Sequence, residues 1–498
     1  MLLPIQLDRT SSLPLQDQLF DQVRHLIVSG NLKPNTRVIA TRFLAEQTGV
    51  SRTTVLLVYE RLISEGYLKT QPTVGTFVCD VLPDAPVRKR LQNSVEDKGA
   101  VRHAQAHPGI FVPSPVAPAE PPLQMDFCRF LPDASLLPSK AWLRSTQSIL
   151  ERQAQEAADS VPIQGLKILR QVLADWLAAR RGMAVAPEQI IIVSGLRQAY
   201  AIISHLFQKR GDRVVVESPG NPDLIQFLVR RGASIIPVPV DHHGLMTEHL
   251  SDESPVSLVC VSPARESPVG GTLSLSRRQR LIDWARKTGA YIIENDIDSD
   301  LRYLGSPPLP LIAMDSSGLV FHIGSFSQTL GAGLCLGYII APTEFVGATS
   351  AIKAMSDDGC SWIEQRVLAD FIGAGAYDHH LRRLRRTLMA RRDCLIRALE
   401  ANFGSVRLVG VEAGAQLTWL LPPDFPSANK IKELARMQGL DVYAVLEEPI
   451  CGQSPDIYGN RALVLSYAAM EERQIKEGIA RLAGIIENIR SDIHSSVA

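Results

Sequence analysis

The sequence predicts an α/β protein of two folded parts, a small N-terminal unit and a large unit built on a mostly parallel sheet. In the first eighty residues, apolar residues recur at helical spacing, and two short runs that are typical of a hairpin follow. From residue 189 onward, short β-branched runs alternate with helical segments, which indicates a parallel sheet with helices on both faces. Between the two parts, from about Asp80 to Leu123, prolines and small polar residues show no apolar period.

Composition limits the class of protein. A chain of 498 residues with 45% hydrophobic residues exceeds what one core usually holds. Lys+Arg and Asp+Glu both number 52, so affinity for nucleic acid must come from a local arrangement of basic groups. The seven scattered cysteines form no Cys-x-x-Cys pair, and we expect reduced thiols and no metal site. Because the chain reaches Asp8 too soon for a signal sequence and has no membrane-spanning apolar run, we expect a soluble, cytoplasmic protein without a membrane partner.

The predicted boundaries divide the chain into three segments. These are a small unit over residues 1–80, a proline-rich linker over residues 81–123 and a large unit over residues 124–498. As a flexible coil, the linker would have an end-to-end distance of roughly 35 Å. It would therefore allow the two units to lie apart.

The small unit has the pattern of two helices joined by a turn, followed by a hairpin. One helical face carries Leu15, Leu19, Val23, Leu26 and Ile27, and Ser29-Gly30 ends that helix. A short helix is predicted from Arg42 to Gln47, and after a turn Ser51 caps a third helix that Gly66 ends. The residues of the third helix that we expect to face inward are Val55, Val58, Tyr59, Leu62 and Ile63. The runs 67–70 and 76–78 then form a two-stranded wing across residues 71–75.

The third helix begins with Ser51-Arg52-Thr53-Thr54, one bidentate donor among three hydroxyls. At a helix end that enters a major groove, arginine reads guanine O6 and N7, while hydroxyls and backbone N–H groups hold phosphates. The alternative is a solvated helix start with an ordinary N-cap.

Motifs across the small unit resemble the GntR family of winged helix-turn-helix repressors. They are Pro14-Leu15-x-x-Gln18-Leu19, Ser29-Gly30-x-Leu32-x-Pro34, Arg42-x-Leu44-Ala45, Gly49-Val50-Ser51-Arg52-Thr53-Thr54-Val55, Tyr59-x-x-Leu62 and Glu65-Gly66-Tyr67-Leu68 with Gly75-Thr76-Phe77-Val78. The resemblance implies that Arg42, Arg52 and Thr53 contact double-stranded DNA. It also implies that Ser51 and Thr54 lie on the DNA backbone and that Gly75 belongs to the wing. The sequence departs from the family at Val38-Ile39-Ala40-Thr41, where Leu-Pro-Ser-Ser is usual.

In the large unit, seven β-branched runs predict the strands of the sheet. They cover residues 190–193, 213–216, 234–240, 257–261, 291–293, 319–323 and 336–340. A helix between them is predicted to start at an N-cap, Ser276, to bury Leu281, Ile282 and Trp284-Ala285, and to end at Gly289.

Landmarks in this unit resemble the fold-type-I aminotransferase-like domain of MocR-type regulators, over roughly Met125 to the last helix. They are Ser194-Gly195-Leu196-Arg197-Gln198-Ala199, Glu217-Ser218-Pro219-Gly220, Pro268-Val269-Gly270, the segment from Glu294 to Tyr303, and Gly324-Ser325-Phe326-Ser327-Gln328-Thr329-Leu330. The fold class is therefore predicted as an N-terminal winged helix-turn-helix plus an aminotransferase fold-type-I domain with a mostly parallel central sheet.

The resemblance implies a pyridoxal-phosphate pocket that has lost its covalent chemistry. Gln328 stands where the family has the lysine of the Schiff base, and an amide cannot form that bond. Asn295 stands at the acid that pairs with the pyridine nitrogen. Ile297 and Asn221 replace the two ring-binding tyrosines. Cys335 replaces the phosphate-binding arginine, and Val464 replaces the carboxylate-binding arginine.

An anion site made of backbone groups remains in this predicted pocket. Ser194 and Gly195 precede a helix that starts near Leu196, and its N–H groups can hold a phosphate or carboxylate, with Ser325 and Ser327 opposite. The alternative is that these hydroxyls and glycines are only structural.

Three arginines are further candidates for an acidic ligand. Arg197 and Arg265 stand where the family more often has neutral side chains, so they either bind an acidic ligand or lie in surface ion pairs. Arg461 is the candidate to compensate for the missing carboxylate-binding arginine.

Together these patterns predict a DNA-binding transcriptional regulator. We expect it to form a homodimer through the large unit and to sense a small molecule through a catalytically inactive domain, without a covalent cofactor. The alternatives are a pyridoxal-phosphate-dependent aminotransferase with an appended regulatory domain, a regulator that binds pyridoxal phosphate non-covalently, and a scaffold that binds no ligand.

Overall fold

The computed structural model describes residues 3–9, 11, 13–71, 74–80, 123, 125–207, 211–251, 255–445 and 458–497. The chain divides into two compact units, Met1–Pro118 and Ala119–Ala498. Apart from Leu123, the predicted linker lies outside the described residues, as do Pro72 and Thr73 of the wing. The boundaries of the linker therefore stay a prediction. In the described part of the chain, no helix is both long and apolar enough to cross a bilayer.

The N-terminal unit has three helices and a hairpin, in the order that the sequence predicts. The elements are α1 (Leu15–Val28), α2 (Thr41–Thr48), α3 (Arg52–Ser64), β1 (Leu68–Gln71) and β2 (Gly75–Val78). The two strands are antiparallel, with Leu68 opposite Val78. The helix-turn-helix and its wing are thus confirmed as structure.

The core of this unit lies between α1, α3 and the wing. Val55, Val58, Tyr59 and Leu62 are buried, as their helical spacing predicts. The prediction that Ile63 faces inward is wrong, because 36% of its surface is exposed. Ile63 falls at the edge of the apolar stripe, one residue before α3 ends, where the neighbouring elements no longer cover it.

An eight-stranded sheet forms the centre of the large unit. Its strands are β4 (Ile190–Val193), β5 (Arg213–Ser218), β6 (Ser234–Asp241), β7 (Gly244–Leu245), β8 (Leu258–Val261), β9 (Tyr291–Asp296), β10 (Val320–Ser325) and β11 (Gly337–Ile340). They lie in the order β4-β11-β10-β9-β8-β5-β6-β7. The five strands from β10 to β6 are parallel, whereas β4, β11 and β7 pair antiparallel. The prediction of a mostly parallel sheet is confirmed.

Helices cover both faces of the sheet. They are α4 (Ser139–Gln153), α5 (Lys167–Arg181), α6 (Leu196–Phe207), α7 (Pro222–Arg230), α8 (Leu275–Thr288), α9 (Leu311–Met314), α10 (Ser327–Leu330), α11 (Val346–Ala354) and α12 (Trp362–Gly373). Alternate residues of β4 show the two layers. Ile190 and Ile192 pack in one apolar cluster with α5 and α12, and Ile191 and Val193 pack in another with α6.

The start of α8 differs from the prediction. Ser274, and not Ser276, is the N-cap, because Ser274 has an extended backbone and its hydroxyl accepts a hydrogen bond from the Arg277 N–H at 3.4 Å. Ser276 lies inside the first turn. Both serines fit a capping pattern in the sequence, and the backbone conformation selects the earlier one.

A smaller α/β layer completes the large unit. A four-stranded antiparallel sheet has the order β12-β13-β16-β15, and β14 pairs with β3. Its elements are β3 (Met125–Asp126), α13 (Ala376–Phe403), β12 (Arg407–Val409), β13 (Gln416–Leu420), α14 (Ala428–Met437), β14 (Leu440–Asp441), β15 (Tyr443–Ala444), β16 (Ala462–Ser466) and α15 (Glu472–Val497). The 28-residue α13 also contributes to the core of the main sheet through Tyr377 and Leu381 at its start.

Candidate DNA interface and large-unit pocket

The start of α3 has the geometry that its sequence predicts. The Ser51 hydroxyl accepts a hydrogen bond from the Thr54 N–H at 3.0 Å and lies 2.8 Å from the Thr54 hydroxyl. The two hydroxyls therefore hold the first turn of the helix. Arg52 and Thr53 are exposed, so their side chains are free to reach a surface placed against this helix end.

Arg42 is exposed on α2. Its Nε lies 3.3 Å from the Glu46 carboxylate, one helical turn further on, and 78% of its side chain is exposed. A solvated pair of this kind contributes at most about 1 kcal/mol, so a phosphate could replace Glu46 as its partner.

The wing contains a contact that the sequence did not indicate. Gly75 has a φ of 140°, and a Cβ at that position would lie 2.7 Å from Nε of Arg37. The backbone of Arg37 also bridges to Phe77 in β2. Arg37 thus adds an exposed cation to the wing. No pattern links residues so far apart in the chain, which is why this contact was missed.

In the large unit, one small cavity brings together two positions at which the family's cofactor-binding residues are replaced. Asn221 and Asn295 line it with Glu217 and Ser262, and its volume is about 10 Å³. A space of that size holds about one water molecule and no aromatic ring.

Several side-chain oxygens near this cavity and in α10 accept no hydrogen bond from the described residues. Asn295 donates to the Ser262 hydroxyl at 3.4 Å, but its carbonyl oxygen has no hydrogen-bond partner among the described residues. The same holds, within the described part of the chain, for Oε1 of Glu217 and for the buried amide oxygen of Gln328. The Asn221 carbonyl oxygen is occupied, because it caps α7 at the Leu224 N–H.

Two buried glutamates were missed at the sequence level. Oε2 of Glu217 accepts a hydrogen bond from the Ser262 N–H at 3.0 Å, and burial raises the pKa of this carboxyl to about 7. Oε2 of Glu266 accepts from the Val269 and Gly270 N–H groups. Burial and the nearby charge of Glu217 raise the pKa of Glu266. For Glu217, the available signal was an acidic residue at the carboxyl end of a β-branched run.

The predicted anion site lies at the start of α6, which begins at Leu196 as expected. Ser194 is already engaged: its N–H donates to the Gln198 side chain at 2.7 Å, and its hydroxyl lies 3.5 Å from Sγ of Cys360. Gly195 has a φ of 81°, and a Cβ built there would meet no atom within 4 Å. Open space therefore remains beside this helix end.

Ser325 and Ser327 lie on the neighbouring side of this turn. Their hydroxyl oxygens are 3.2 Å apart, and the Ser327 N–H also donates to Ser325. Gly337 links the two regions, because a Cβ there would be 2.8 Å from the Gly324 carbonyl and 3.5 Å from Cα of Gly195. The structure thus brings the carboxyl ends of β4 and β10 close together, as the resemblance implies.

Arg197 and Arg265 have different environments. Nη2 of Arg197 lies 3.0 Å from both carboxylate oxygens of Asp223, in a pair with 73% of the arginine side chain exposed. Arg197 therefore lies in a surface ion pair, which was the alternative to binding an acidic ligand. Arg265 fits neither alternative, because its side chain is buried and donates to Asp298 and to two backbone carbonyls, those of Ala413 and Gln416.

The remaining predicted residues lie apart from the small cavity. Cys335 is exposed in a left-handed conformation, with its thiol 3.3 Å from the Ala332 carbonyl. Ile297 is half-buried after β9, and Val464 is buried in β16. Arg461 donates to the carbonyls of residues 422, 423 and 425, so its guanidinium stabilises the small layer.

Comparison with known proteins agrees with both units. Residues 15–78 match the model of bacterial regulatory proteins of the gntR family, and residues 128–482 match aminotransferase class I and II. The fold and the two sites define a helix-turn-helix regulator that carries an aminotransferase-like domain. The chain belongs to the MocR-type GntR transcriptional regulators, a family whose members bind DNA, and this confirms the predicted family, fold class and regulatory function.

Three curated relatives match nearly the whole chain. The probable rhizopine catabolism regulatory protein MocR of Rhizobium meliloti is 30% identical over 96% of this chain and 94% of its own. The pyridoxine biosynthesis transcriptional regulator PdxR of Corynebacterium glutamicum is 31% identical over 89% and 90%. The transcriptional regulator TauR of Rhodobacter capsulatus is 29% identical over 94% and 96%.

Solved aminotransferases share the fold of the large unit. A kynurenine aminotransferase of Pyrococcus horikoshii superposes with a TM-score of 0.67 at 26% identity, covering 73% of this chain and 91% of that chain. An aspartate aminotransferase of Thermus thermophilus has a TM-score of 0.62 at 20% identity, covering 73% and 92%.

Proposed function

We propose that this transcriptional regulator reads a two-part operator as a homodimer and that its large unit responds to a small molecule without aminotransferase catalysis. The family supplies the regulatory role, and the finer statement rests on residues of this chain. The absence of aminotransferase catalysis rests on one observation, Gln328, whose amide stands at the position of the family's Schiff-base lysine.

The residues around Gln328 do not fit covalently bound pyridoxal phosphate. Asn295 cannot stabilise a protonated pyridine nitrogen as an acid does. The buried carbonyl oxygen of Asn295 and that of Gln328 lack hydrogen-bond partners among the described residues, and the cavity beside Asn295 holds about one water molecule. The same small volume disfavours non-covalent binding of the ring at this place.

One lysine near this pocket, Lys353, is poorly suited to replace the missing Schiff-base lysine. Lys353 is fully buried, and its ammonium lies 2.5 Å from Oδ1 of Asp357. This ion pair holds the amine against Asp357 in the interior, so the amine is not free to attack an aldehyde. Loss of covalent chemistry is therefore consistent with the surroundings of both Gln328 and Lys353.

On the DNA side, we propose that Arg52 reads a base and that Thr53 and the wing hold the backbone. Arg52 is exposed at the end of α3 that Ser51 caps, where N–H groups favour phosphate. Arg42 and Gly75 lie on the flanking helix and in the wing. One winged helix reads only a short half-site, so a dimer would provide two.

Selection of genomic DNA fragments by the full chain tests this proposal. We expect the enriched fragments to share a motif with two half-sites, and we expect the Arg52→Ala variant to lose the enrichment. Equal enrichment by both proteins would remove Arg52 from base reading. Enrichment of a single half-site by a monomer would overturn the proposed dimer.

A further inference from the structure

A basic groove lies on the large unit between the start of α4 and the start of α13. Its volume is about 730 Å³, within the usual range for small-molecule sites. The ionisable side chains of its lining are Lys140, Arg144, His379, His380 and Arg383, and Ser135 and Ser139 are also polar. Among the described residues, no aspartate or glutamate lines it.

The cations of this groove are not neutralised by the described part of the chain. Lys140, Arg144 and Arg383 are exposed and form no ion pair with any described residue. The acids nearest in sequence are engaged elsewhere, because Asp378 pairs with Arg180 and Asp133 pairs with Arg391. The groove therefore carries unbalanced positive charge.

Two helices begin at the groove. The 15-residue α4 follows Pro138, and the 28-residue α13 follows Gly375. Within the described residues, neither helix has a side-chain cap at this end. The Ala141 N–H already donates to the Pro138 carbonyl, and the His379 N–H donates to the Gly375 carbonyl. The donors left for an anion are therefore the earliest N–H groups of each helix, and both helix dipoles favour an anion here.

His380 supplies a different kind of group at the base of the groove. Its side chain is 97% buried, and Nε2 lies 2.6 Å from the Thr329 carbonyl, so Nε2 carries the proton. Nδ1 is buried and has no hydrogen-bond partner in the parts of the chain that the structure describes. Burial, assisted by the charge of Arg383, lowers the pKa of His380. Nδ1 is therefore an acceptor at neutral pH.

We propose that this groove binds a phosphate group, either free or as the monoester of a small metabolite. The cations and helix N-termini would hold the phosphate oxygens. Nδ1 of His380 would accept a hydrogen bond from a protonated phosphate oxygen or from a hydroxyl of the ester. A carboxylate without a hydroxyl satisfies the cations and leaves Nδ1 unpaired. This site is separate from the replaced cofactor position and goes beyond the proposed function.

The groove is also connected to α10. His380 contacts the carbonyl of Thr329, which directly follows Gln328, and the Thr329 hydroxyl lies 3.0 Å from the hydroxyl of Tyr377 in α13. A ligand that orders the start of α13 would thus act on the same short helix that carries Gln328.

Calorimetric titration of the full chain, without DNA, tests the site. The probes are glycerol 3-phosphate and inorganic phosphate, with glycerol and sodium chloride at matched ionic strength as controls. We expect saturable binding of at least one phosphate probe, with one site per chain, and none of glycerol or chloride. Binding of inorganic phosphate alone assigns the site to free phosphate, and tighter binding of the ester assigns it to a phosphorylated metabolite.

Variants locate the binding in the groove. Arg144→Met combined with Arg383→Met should weaken binding at least about tenfold, because two charge-assisted contacts are removed. Arg382→Met is the matched control, since Arg382 is exposed on α13 but does not line the groove. His380→Gln keeps a donor for the Thr329 carbonyl and removes the acceptor Nδ1, so it should weaken binding as well.

Three results would overturn the proposal. These are no saturable binding of either phosphate probe, equal losses in the double variant and in Arg382→Met, and a heat signal that sodium chloride reproduces. Unfolding curves of each variant show whether it is folded. If His380→Gln does not fold, the arginine variants, which change only exposed side chains, decide the question.

Discussion

Arg52 is the residue on which base reading by the small unit is expected to depend. If its guanidinium contacts one base in a bidentate manner, Arg52→Ala should cost about 1–3 kcal/mol of binding free energy and relax preference at one operator position. Fluorescence anisotropy with operators mutated one base pair at a time, at constant salt, measures both effects.

Two further variants separate base reading from simple charge. Arg52→Lys keeps the cation and loses the planar fork, so we expect it to lose base preference while keeping part of the affinity. Arg24→Ala, which removes an exposed arginine of α1, is the control. Arg52→Ala with unchanged operator affinity would place Arg52 outside the interface.

Glu217 should make stability depend on pH. Its pKa is raised from 4.5 to about 7 in the folded chain. The unfolded chain therefore ionises first, and the free energy of unfolding falls as pH rises from about 4.5 to about 7, by about 3 kcal/mol from this group. Glu217→Gln keeps an acceptor for the Ser262 N–H, so it should be more stable than the parent at about pH 8 and nearly equal at about pH 4.5.

Urea unfolding across this pH range measures the difference. Glu400→Gln, a change of an exposed carboxyl on α13, is the control and should leave the pH dependence of the parent unchanged. A Glu217→Gln variant whose stability falls with pH as steeply as that of the parent would contradict the buried, protonated carboxyl.

At the scale of elements, the close pairing of β10 with β11 depends on one glycine. A Cβ at Gly324 would lie between 2.1 and 2.4 Å from three side-chain atoms of Tyr338, whose ring is packed in the core. Gly324→Ala should therefore force the two strands apart and cost about 1–3 kcal/mol of stability. Gly333→Ala is the matched control, because a Cβ there meets nothing within 4 Å. Equal thermal unfolding of the two variants would contradict this packing.

The elements themselves were largely predictable, since their periodicities are local. All seven predicted strands of the main sheet and the three helices of the small unit occur in the structure. One error arose because both Ser274 and Ser276 are suitable N-cap residues. Another arose at Ile63, where the apolar stripe of α3 reaches the end of the helix. The backbone conformation decided the first case, and the lack of covering neighbours decided the second.

The candidate sites were predictable only in part. Ser51 caps α3 as expected, and Asn221 and Asn295 share a cavity. Two of the partners of Arg265, in contrast, are backbone carbonyls about 150 residues away, which no spacing in the sequence reveals. Glu217 was missed for a related reason, because its unusual pKa depends on burial by distant segments.

For the whole molecule, we expect homodimers formed by the large unit. A single winged helix contacts a short half-site, so a dimer should protect two half-sites whose separation is set by the dimer and the linker. Sedimentation at concentrations that saturate an operator fragment measures the assembly, and footprinting measures the half-sites. A monomer with one protected half-site would contradict this expectation.

The central claim is that this regulator retains the aminotransferase fold without its covalent chemistry. The most direct measurement is mass spectrometry of the full chain after equimolar pyridoxal phosphate and borohydride reduction, with a fold-type-I aminotransferase as the positive control. We expect the control to carry one adduct per chain and this protein to carry none at any single lysine, because Gln328 has no amine and the ammonium of Lys353 is paired with Asp357. A stoichiometric adduct at one lysine would contradict the account.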